Sequence, residues 1–345
     1  MNQKAYTFSD VLIEPKYSEV LSRKTVDIST NLCGINLKLP IISANMSNIT
    51  GPNMVIEMCL CGGMGILHRF NTIENAVTEF EYVHNHMVFW PDYAGAPKTD
   101  APLVGVSIGV QEQDKQRFDK LYEAGANIFD IDVAHGHHIL VKNMLNWITA
   151  RKLPDIVIIA GNIATRHAAI DLAQWGANVV KCGIGSGKTC LTRSNTGVGV
   201  PQLYMLETIK ETINQYNLPI KIISDGGINM VGDIAKALKF ADAVMLGNML
   251  SGTTETPGSV YKNPEGQFYK TYGGSTSGEN KGENKFVEGM MKTVPFRGKV
   301  KYILKEIREG LQSAFSYCDA SNLKEFQENC EFIHISEGAM RESKI

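Results

Sequence analysis

The chain has 345 residues, 43% of them hydrophobic and 20% charged, with a formal net charge of −2. That composition supports a large buried core and excludes the basic surface that binds nucleic acid. No apolar run is long enough to span a bilayer. The opening MNQKAYTFSD lacks the apolar core of a signal peptide, and the seven scattered cysteines, with no C-x-x-C pair, read as reduced thiols; a cytoplasmic protein is expected.

In chain order, short apolar runs recur at Leu39 to Met46, Gly63 to His68, Leu103 to Gly109 and Asn127 to Asp132. They continue at Ile156 to Asn162, Asn178 to Gly183, Ile220 to Asp225 and Ala241 to Gly247. Between most of them lie amphipathic helical patterns, among them Gln111 to Ala124, Ala168 to Trp175, Pro201 to Gln215 and Val231 to Lys239. Near-continuous apolar strands alternating with helices predict a parallel sheet buried on both faces. Eight repeats predict closure into a (β/α)8 barrel, an α/β fold that runs as one domain at about 250 residues or more. An open doubly wound sheet is the alternative.

Asn45, His68, Asp132, Asn162, Gly183, Asp225 and Gly247 all fall at the carboxyl ends of these runs. In a barrel those ends meet on the face that carries active sites; otherwise they are ordinary turn residues. After the last strand, a polar excursion of about 255–298 contains GGSTSGENKGENK and reads as a flap or a plain loop. A helix (KVKYILKEIREGLQ) and a tail fill 299–345. Residues 1–345 are therefore expected to form a single barrel domain with no inserted module.

The stretch Lys181 to Gln202, KCGIGSGKTCLTRSNTGVGVPQ, admits three readings. A triphosphate-binding P-loop needs a glycine five residues before Gly187, where Cys182 stands, so that reading fails. A glycine-rich turn with a buried structural cysteine is the second; Cys33, Cys59, Cys61, Cys182, Cys318 and Cys330 are read that way. The third is a nucleophile loop. Cys190 is flanked by pliant glycine backbone, Lys188 and Arg193, surroundings that favour a thiolate, and Thr192 stands two residues on to relay a proton.

The stretch GIGSGKTCLTR…TGVGVPQ closely resembles the cysteine loop of the IMP dehydrogenase/GMP reductase family, GIGPGSxCTTR…TGVGxPQ. The likeness runs through YTFSDVLIEPKYS, LPIISANM, GGMGILH, DIDVAHGH, AGNIAT, ISDGGI, ADAVMLGNMLSGT and VPFRG, nearly the whole chain. It implies a (β/α)8 barrel, commonly a homotetramer, in which Cys190 attacks C2 of a purine nucleotide. It also implies a potassium ion on the backbone carbonyls of Gly185, Gly187 and Cys190. Ribose and 5′-phosphate would rest on Asp225, Gly226, Gly227, Gly247 and Asn248, with Gly273 and Ser275 adding contacts. Asp132, Asn162 and Lys181 would line the nicotinamide side. Read alone, Asp225 is equally a helix N-cap and the glycines turns. The chain departs from the family at Lys188, where a phosphate-binding serine is usual; at Ser47-Asn48, in place of Asp-Thr; and at Gly274, in place of Met. Lys188 retains the chemistry to hold a phosphate as a point charge.

Within the family the dehydrogenase oxidises IMP with NAD and hydrolyses the adduct to XMP, using an Arg-Tyr pair on its flap. The reductase expels ammonia from GMP and takes hydride from NADPH. Residues 275–296 contain neither Arg nor Tyr, and Glu288 in KFVEGMMKTVPFRG matches the reductase's EGKTVxVPFKG. With Thr192 it would protonate the departing amine. ANM and YGGS also resemble the reductase, whereas AHGHH and the SEGAMRES tail resemble the dehydrogenase. The resemblance thus favours an NADPH-dependent GMP reductase. An NAD-dependent IMP dehydrogenase is the alternative, and a purine-nucleotide-binding relative without turnover is a third class.

Overall fold

The computed structural model describes residues 5–89, 103–273 and 291–342. Three short strands, β1 (Val11–Ile13) and the hairpin of β2 (Thr30–Leu32) with β3 (Ile35–Leu37), precede the repeating unit. Eight parallel strands then follow: β4 (Ile41–Ser43), β5 (Met64–Leu67), β6 (Val104–Ile108), β7 (Ile128–Asp132), β8 (Val157–Ile163), β9 (Val179–Cys182), β10 (Lys221–Asp225) and β11 (Ala243–Leu246). They close into a barrel in chain order, with β11 pairing β4 through Val244 and Ile41. Seven lie inside the runs identified in the sequence and β8 overruns its own by one residue, Ile163, and the closing pair rules out the open sheet.

Helices α1 (Pro52–Leu60), α2 (Ile73–Phe89), α3 (Glu112–Glu123), α4 (Ile139–Thr149) and α5 (Arg166–Trp175) fill successive crossovers. A short α6 (Thr192–Thr196), then α7 (Gln202–Tyr216) and α8 (Val231–Leu238) complete the ring, with α9 (Val300–Tyr317) after the last strand. Local chemistry sets their ends. Thr165 caps α5 by accepting from the Ala168 amide, and Gly176 ends it at φ 101°, a conformation glycine adopts without penalty.

The core has two compartments. One packs the helices against the outside of the barrel. The other fills the barrel with Ile42, Met64, Ile66, Ile128, Ile159, Val179, Ile223 and Ala243, and Leu32, Ile35 and Leu37 of the β2–β3 hairpin close its amino-terminal end. The Cys33 thiol at the hairpin tip donates to the Asn178 carbonyl at 3.3 Å, just below β9. The sequence reading missed this plug.

The expected excursion has an ordered base. Strands β12 (Tyr261–Lys262), β13 (Phe268–Gly273) and β14 (Met291–Pro295) form an antiparallel sheet. The buried Lys270 ammonium holds it by donating to the carbonyls of Thr253 (3.1 Å) and Thr256 (2.5 Å). Ser275, Gly274 and Glu288 lie outside the described residues. Helix α10 (Leu323–Asn329), strand β15 (Phe332–His334) and helix α11 (Glu337–Glu342) end the chain, with β15 pairing antiparallel to β1. Among the described residues no helix is long and apolar enough to cross a membrane.

Candidate active site

The carboxyl ends of β4 and β8 to β11 surround a cavity of about 310 Å³. Cys190 lies on its wall, half-buried, in the loop that leaves β9. Its Sγ sits 3.1 Å from Thr192 Oγ1, so the hydroxyl can exchange a proton with the sulfur or with a group bound to it. The Cys190 amide donates to the Gly187 carbonyl at 3.0 Å, which folds the loop back on itself. Two cysteines near α1 are held as thiols: burial pushes Cys59 up to about 12 and Cys61 up to about 11. Such thiols do not supply thiolate at neutral pH.

Gln202, the last residue of the TGVGVPQ motif, braces this loop. Its Nε2 donates to the carbonyls of Cys182 (2.9 Å) and Asp225 (3.2 Å) and to Ser224 Oγ (3.2 Å), while its Oε1 accepts from Ser186 Oγ (2.7 Å). One buried amide thus ties β9, β10 and the nucleophile loop together. Gly183, at φ 156°, is where β9 meets β10, and a Cβ there would lie 1.8 Å from the Asp225 carbonyl oxygen.

Asp225, at the end of β10, accepts at Oδ2 from Asn162 Nδ2 at 2.7 Å, and that amide also donates to the Gly183 carbonyl at 2.8 Å. Burial raises the carboxyl's pKa, against the pull of Lys181 and the Asn162 bond. Oδ1 has no partner among the described residues, which leaves it for a ligand hydroxyl. Gly226, Gly227, Gly247, Asn248 and Lys188 line the rest of the cavity. The first two glycines have φ of 90° and 78°, a turn that glycine adopts without penalty and whose amides are available to an anion.

Tyr272 joins them, a residue the sequence reading quoted without assigning it a role. Its hydroxyl lies 3.2 Å from where a Cβ on Gly247 would stand. Burial pushes its phenol up to about 12 despite a hydrogen bond with Thr189, so it remains a donor. Gly273 follows it, and its carbonyl accepts from Asn48 Nδ2 at 3.1 Å. The unusual Asn48 therefore braces the flap base. Glycine amides, a phenol and a lysine together form a site suited to a phosphate.

The residues expected on the nicotinamide side separate into two layers. Asn162 lines the cavity. Asp132, at the end of β7, is 16% exposed at its side chain, whereas Lys181 is buried beneath it. Lys181 Nζ bonds Asp132 Oδ1 at 2.7 Å, Asp130 Oδ2 at 2.9 Å and Asn45 Oδ1 at 3.4 Å. Burial pulls its pKa down, but the surrounding carboxylates prevail and raise it; the ammonium stays charged. Against burial, Lys181 and Arg69 hold the Asp132 pKa below the usual carboxylate range. Arg69 Nε donates to the Asp132 carbonyl at 3.0 Å. An ionised carboxylate beside the Asn162 amide offers an acceptor to a nicotinamide carboxamide, so these residues fit that group. The carbonyls of Gly185, Gly187 and Cys190 are oxygen donors of the kind a hard cation takes, although the Gly187 oxygen already spends one lone pair on the Cys190 amide. His137 is tied to Asp171 at 2.8 Å and packs on Trp175. Among the described residues no cluster of His, Cys, Asp or Glu could hold a metal.

A half-buried thiol on the wall of a cavity lined by glycine backbone, a phenol and a lysine suits a barrel enzyme that works by covalent chemistry. The family model described as the IMP dehydrogenase / GMP reductase domain matches residues 5–345, and the chain belongs to that family. The family's members are oxidoreductases. The chain is 35% identical to a GMP reductase of Albidiferax ferrireducens, covering 93% of this chain and 94% of the relative. It is 30% identical to an inosine-5′-monophosphate dehydrogenase of Nitrosopumilus maritimus, covering 99% and 98%. Among solved structures it matches a cysteine-to-alanine variant of GMP reductase from Trypanosoma brucei in complex with guanosine 5′-monophosphate. That match has a TM-score of 0.90 at 27% identity and covers 99% of this chain and 98% of the other.

Proposed function

We propose that the protein is a GMP reductase, converting GMP, NADPH and two protons to IMP, NADP⁺ and ammonium. The observation that carries this reading is the 3.1 Å contact between Cys190 Sγ and Thr192 Oγ1 on the wall of a cavity floored by Asp225 and the glycine turns. The cysteine thiolate adds at C2 of the purine, and the exocyclic amine leaves as ammonia after taking a proton from Thr192 and Glu288. Covalent addition splits one difficult substitution into two easier steps. Bound NADPH supplies the hydride that replaces the amine, after which the thiolate departs.

Asp225 takes the ribose hydroxyls. Gly226, Gly227, Gly247, Asn248, Lys188 and the Tyr272 hydroxyl hold the 5′-phosphate, and Gly273 and Ser275 close over the base. Asp132 and Asn162 face the nicotinamide, with Lys181 fixing Asp132 from below. The backbone carbonyls of Gly185, Gly187 and Cys190 would hold a potassium ion, whose charge would fix the loop's shape. Residues 1–345 would work as one barrel domain, with its flap at about 255–298, assembled as a homotetramer in the cytoplasm.

The absence of Arg and Tyr from 275–296 favours the reductase, because a dehydrogenase must activate water to release its product. The test follows reduced nicotinamide by absorbance, with potassium present, in two mixtures. GMP with NADPH should lose absorbance and release ammonia. IMP with NAD should not yield XMP; if it does, the dehydrogenase reading replaces this one. Nucleotide binding without turnover in either mixture would indicate a binding relative.

A further inference from the structure

The site rests on a buried charge that the reading above leaves unused. Asp130 lies on the inner face of β7, two residues before Asp132, and is fully buried. Its Oδ2 accepts from Lys181 Nζ at 2.9 Å, from Asn45 Nδ2 at 3.0 Å and from Ser107 Oγ at 3.5 Å. Its Oδ1 is buried with no hydrogen-bond partner. Beside and below it the barrel is apolar: Ile159 is its in-register neighbour on β8, and Ile128 precedes it on β7. An ionised carboxylate is expensive to bury, more so with one oxygen unsatisfied. A serine or an amide would tether the Lys181 ammonium at lower cost, so the charge itself calls for an explanation.

The surrounding charges supply one. Two cations belong to the cluster around Lys181, that lysine from β9 and Arg69 from the loop after β5, while Lys188 lines the phosphate side of the cavity. Three carboxylates face them: Asp130 and Asp132 on β7 and Asp225 on β10. Asn45, after β4, and Ser107, on β6, are neutral, and the inner faces of β5, β8 and β11 contribute Ile66, Ile159 and Met245. Without Asp130, two carboxylates would balance two cations; with it, one negative charge is in surplus. In a medium of low dielectric that surplus acts strongly on whatever lies above it. A nicotinamide ring that has given up its hydride is positively charged; the reduced ring is neutral.

We infer that Asp130 is a positioning residue for the cofactor side of the site: it pins the Lys181 ammonium from below and leaves Asp132 under a surplus of negative charge that favours an oxidised nicotinamide ring over a reduced one. The inference rests on the reading that Asp132 and Asn162 face the nicotinamide.

The test measures dissociation constants of NADP⁺ and NADPH at mildly alkaline pH for the wild-type protein and for Asp130→Asn, which keeps the shape and removes the charge. The variant should weaken NADP⁺ relative to NADPH by about tenfold while leaving the affinity for GMP unchanged. An unchanged ratio, or an equal loss for both dinucleotides, overturns the inference; equal loss is what damaged packing alone would produce. If Asp130→Asn does not fold, the wild-type ratio measured across pH carries the same question. The preference for NADP⁺ should fade in acid as Asp130 takes a proton, and a flat ratio refutes the idea. Wild-type protein that binds neither dinucleotide removes the premise, whereas binding with an unaltered ratio in the variant sinks this inference alone.

Discussion

At the scale of single residues, Cys190 and Asp130 make opposite demands. Cys190 is reachable, with a hydroxyl 3.1 Å from its sulfur. Replacing it with alanine removes the covalent step, and turnover should fall by more than about 10³-fold while GMP still binds. Appreciable residual turnover at intact affinity would mean that the adduct is not on the pathway. Asp130 is unreachable, and burial pushes its carboxyl up to about 6 in spite of Lys181. The sign follows: as pH falls through about 6 the carboxylate is protonated and the surplus charge beneath Lys181 is lost. An acid limb near pH 6 should therefore appear in kcat/KM for the dinucleotide and disappear in Asp130→Asn. A limb that persists in the variant would assign it to Asp225, whose pKa burial also raises. Cys190 was legible in the sequence because its loop is a dense motif. Asp130 was not: within IFDIDVAHGH it reads as one more polar residue in an apolar strand, and only the closed barrel reveals that it points at Lys181.

At the scale of elements, all eight barrel strands were legible because each is a short apolar run ended by a polar or glycine residue. What was hidden depends on distant pairing. The β2–β3 hairpin looks like any turn until its leucines are seen plugging the barrel, and β1 and β15 pair across almost the whole chain. Gln202 was visible as a letter in a motif, yet its bracing role requires β9 and β10 side by side. That seam yields a sharp expectation at Gly183. A methyl group there would lie 1.8 Å from the Asp225 carbonyl oxygen, on a backbone at φ 156°. Overpacking and strain cost about 1–3 kcal/mol each. Gly183→Ala should lower the melting temperature and, by pushing Asp225 aside, weaken GMP binding by about tenfold or more. Calorimetric titration against the folded variant decides the point, and wild-type affinity would show that Asp225 tolerates the shift.

At the scale of the whole molecule, the barrel interior serves as both core and floor of the site. The apolar residues Ile66, Ile128, Ile159 and Ile223 share the barrel interior with the buried polar residues Asn45, Ser107, Asp130 and Lys181, and the hairpin seals the far end. The dryness of this packing is what raises the Asp130 pKa, since burial is its largest cause. Ile159 is the place to separate the two roles, being fully buried and in register with Asp130. Ile159→Ala should cost about 2–5 kcal/mol, as large-to-small changes in cores do. The space opens at the in-register neighbour of Asp130, whose Oδ1 is unsatisfied, so water entering it would have a polar partner, unlike water in a purely apolar cavity. Hydrating the carboxylate lowers its pKa, so the acid limb should move to lower pH as stability falls. If the melting temperature drops while the limb stays in place, the floor stabilises the barrel without tuning its charge, and the cause of the raised pKa must be sought in the neighbouring carboxylates Asp132 and Asp225.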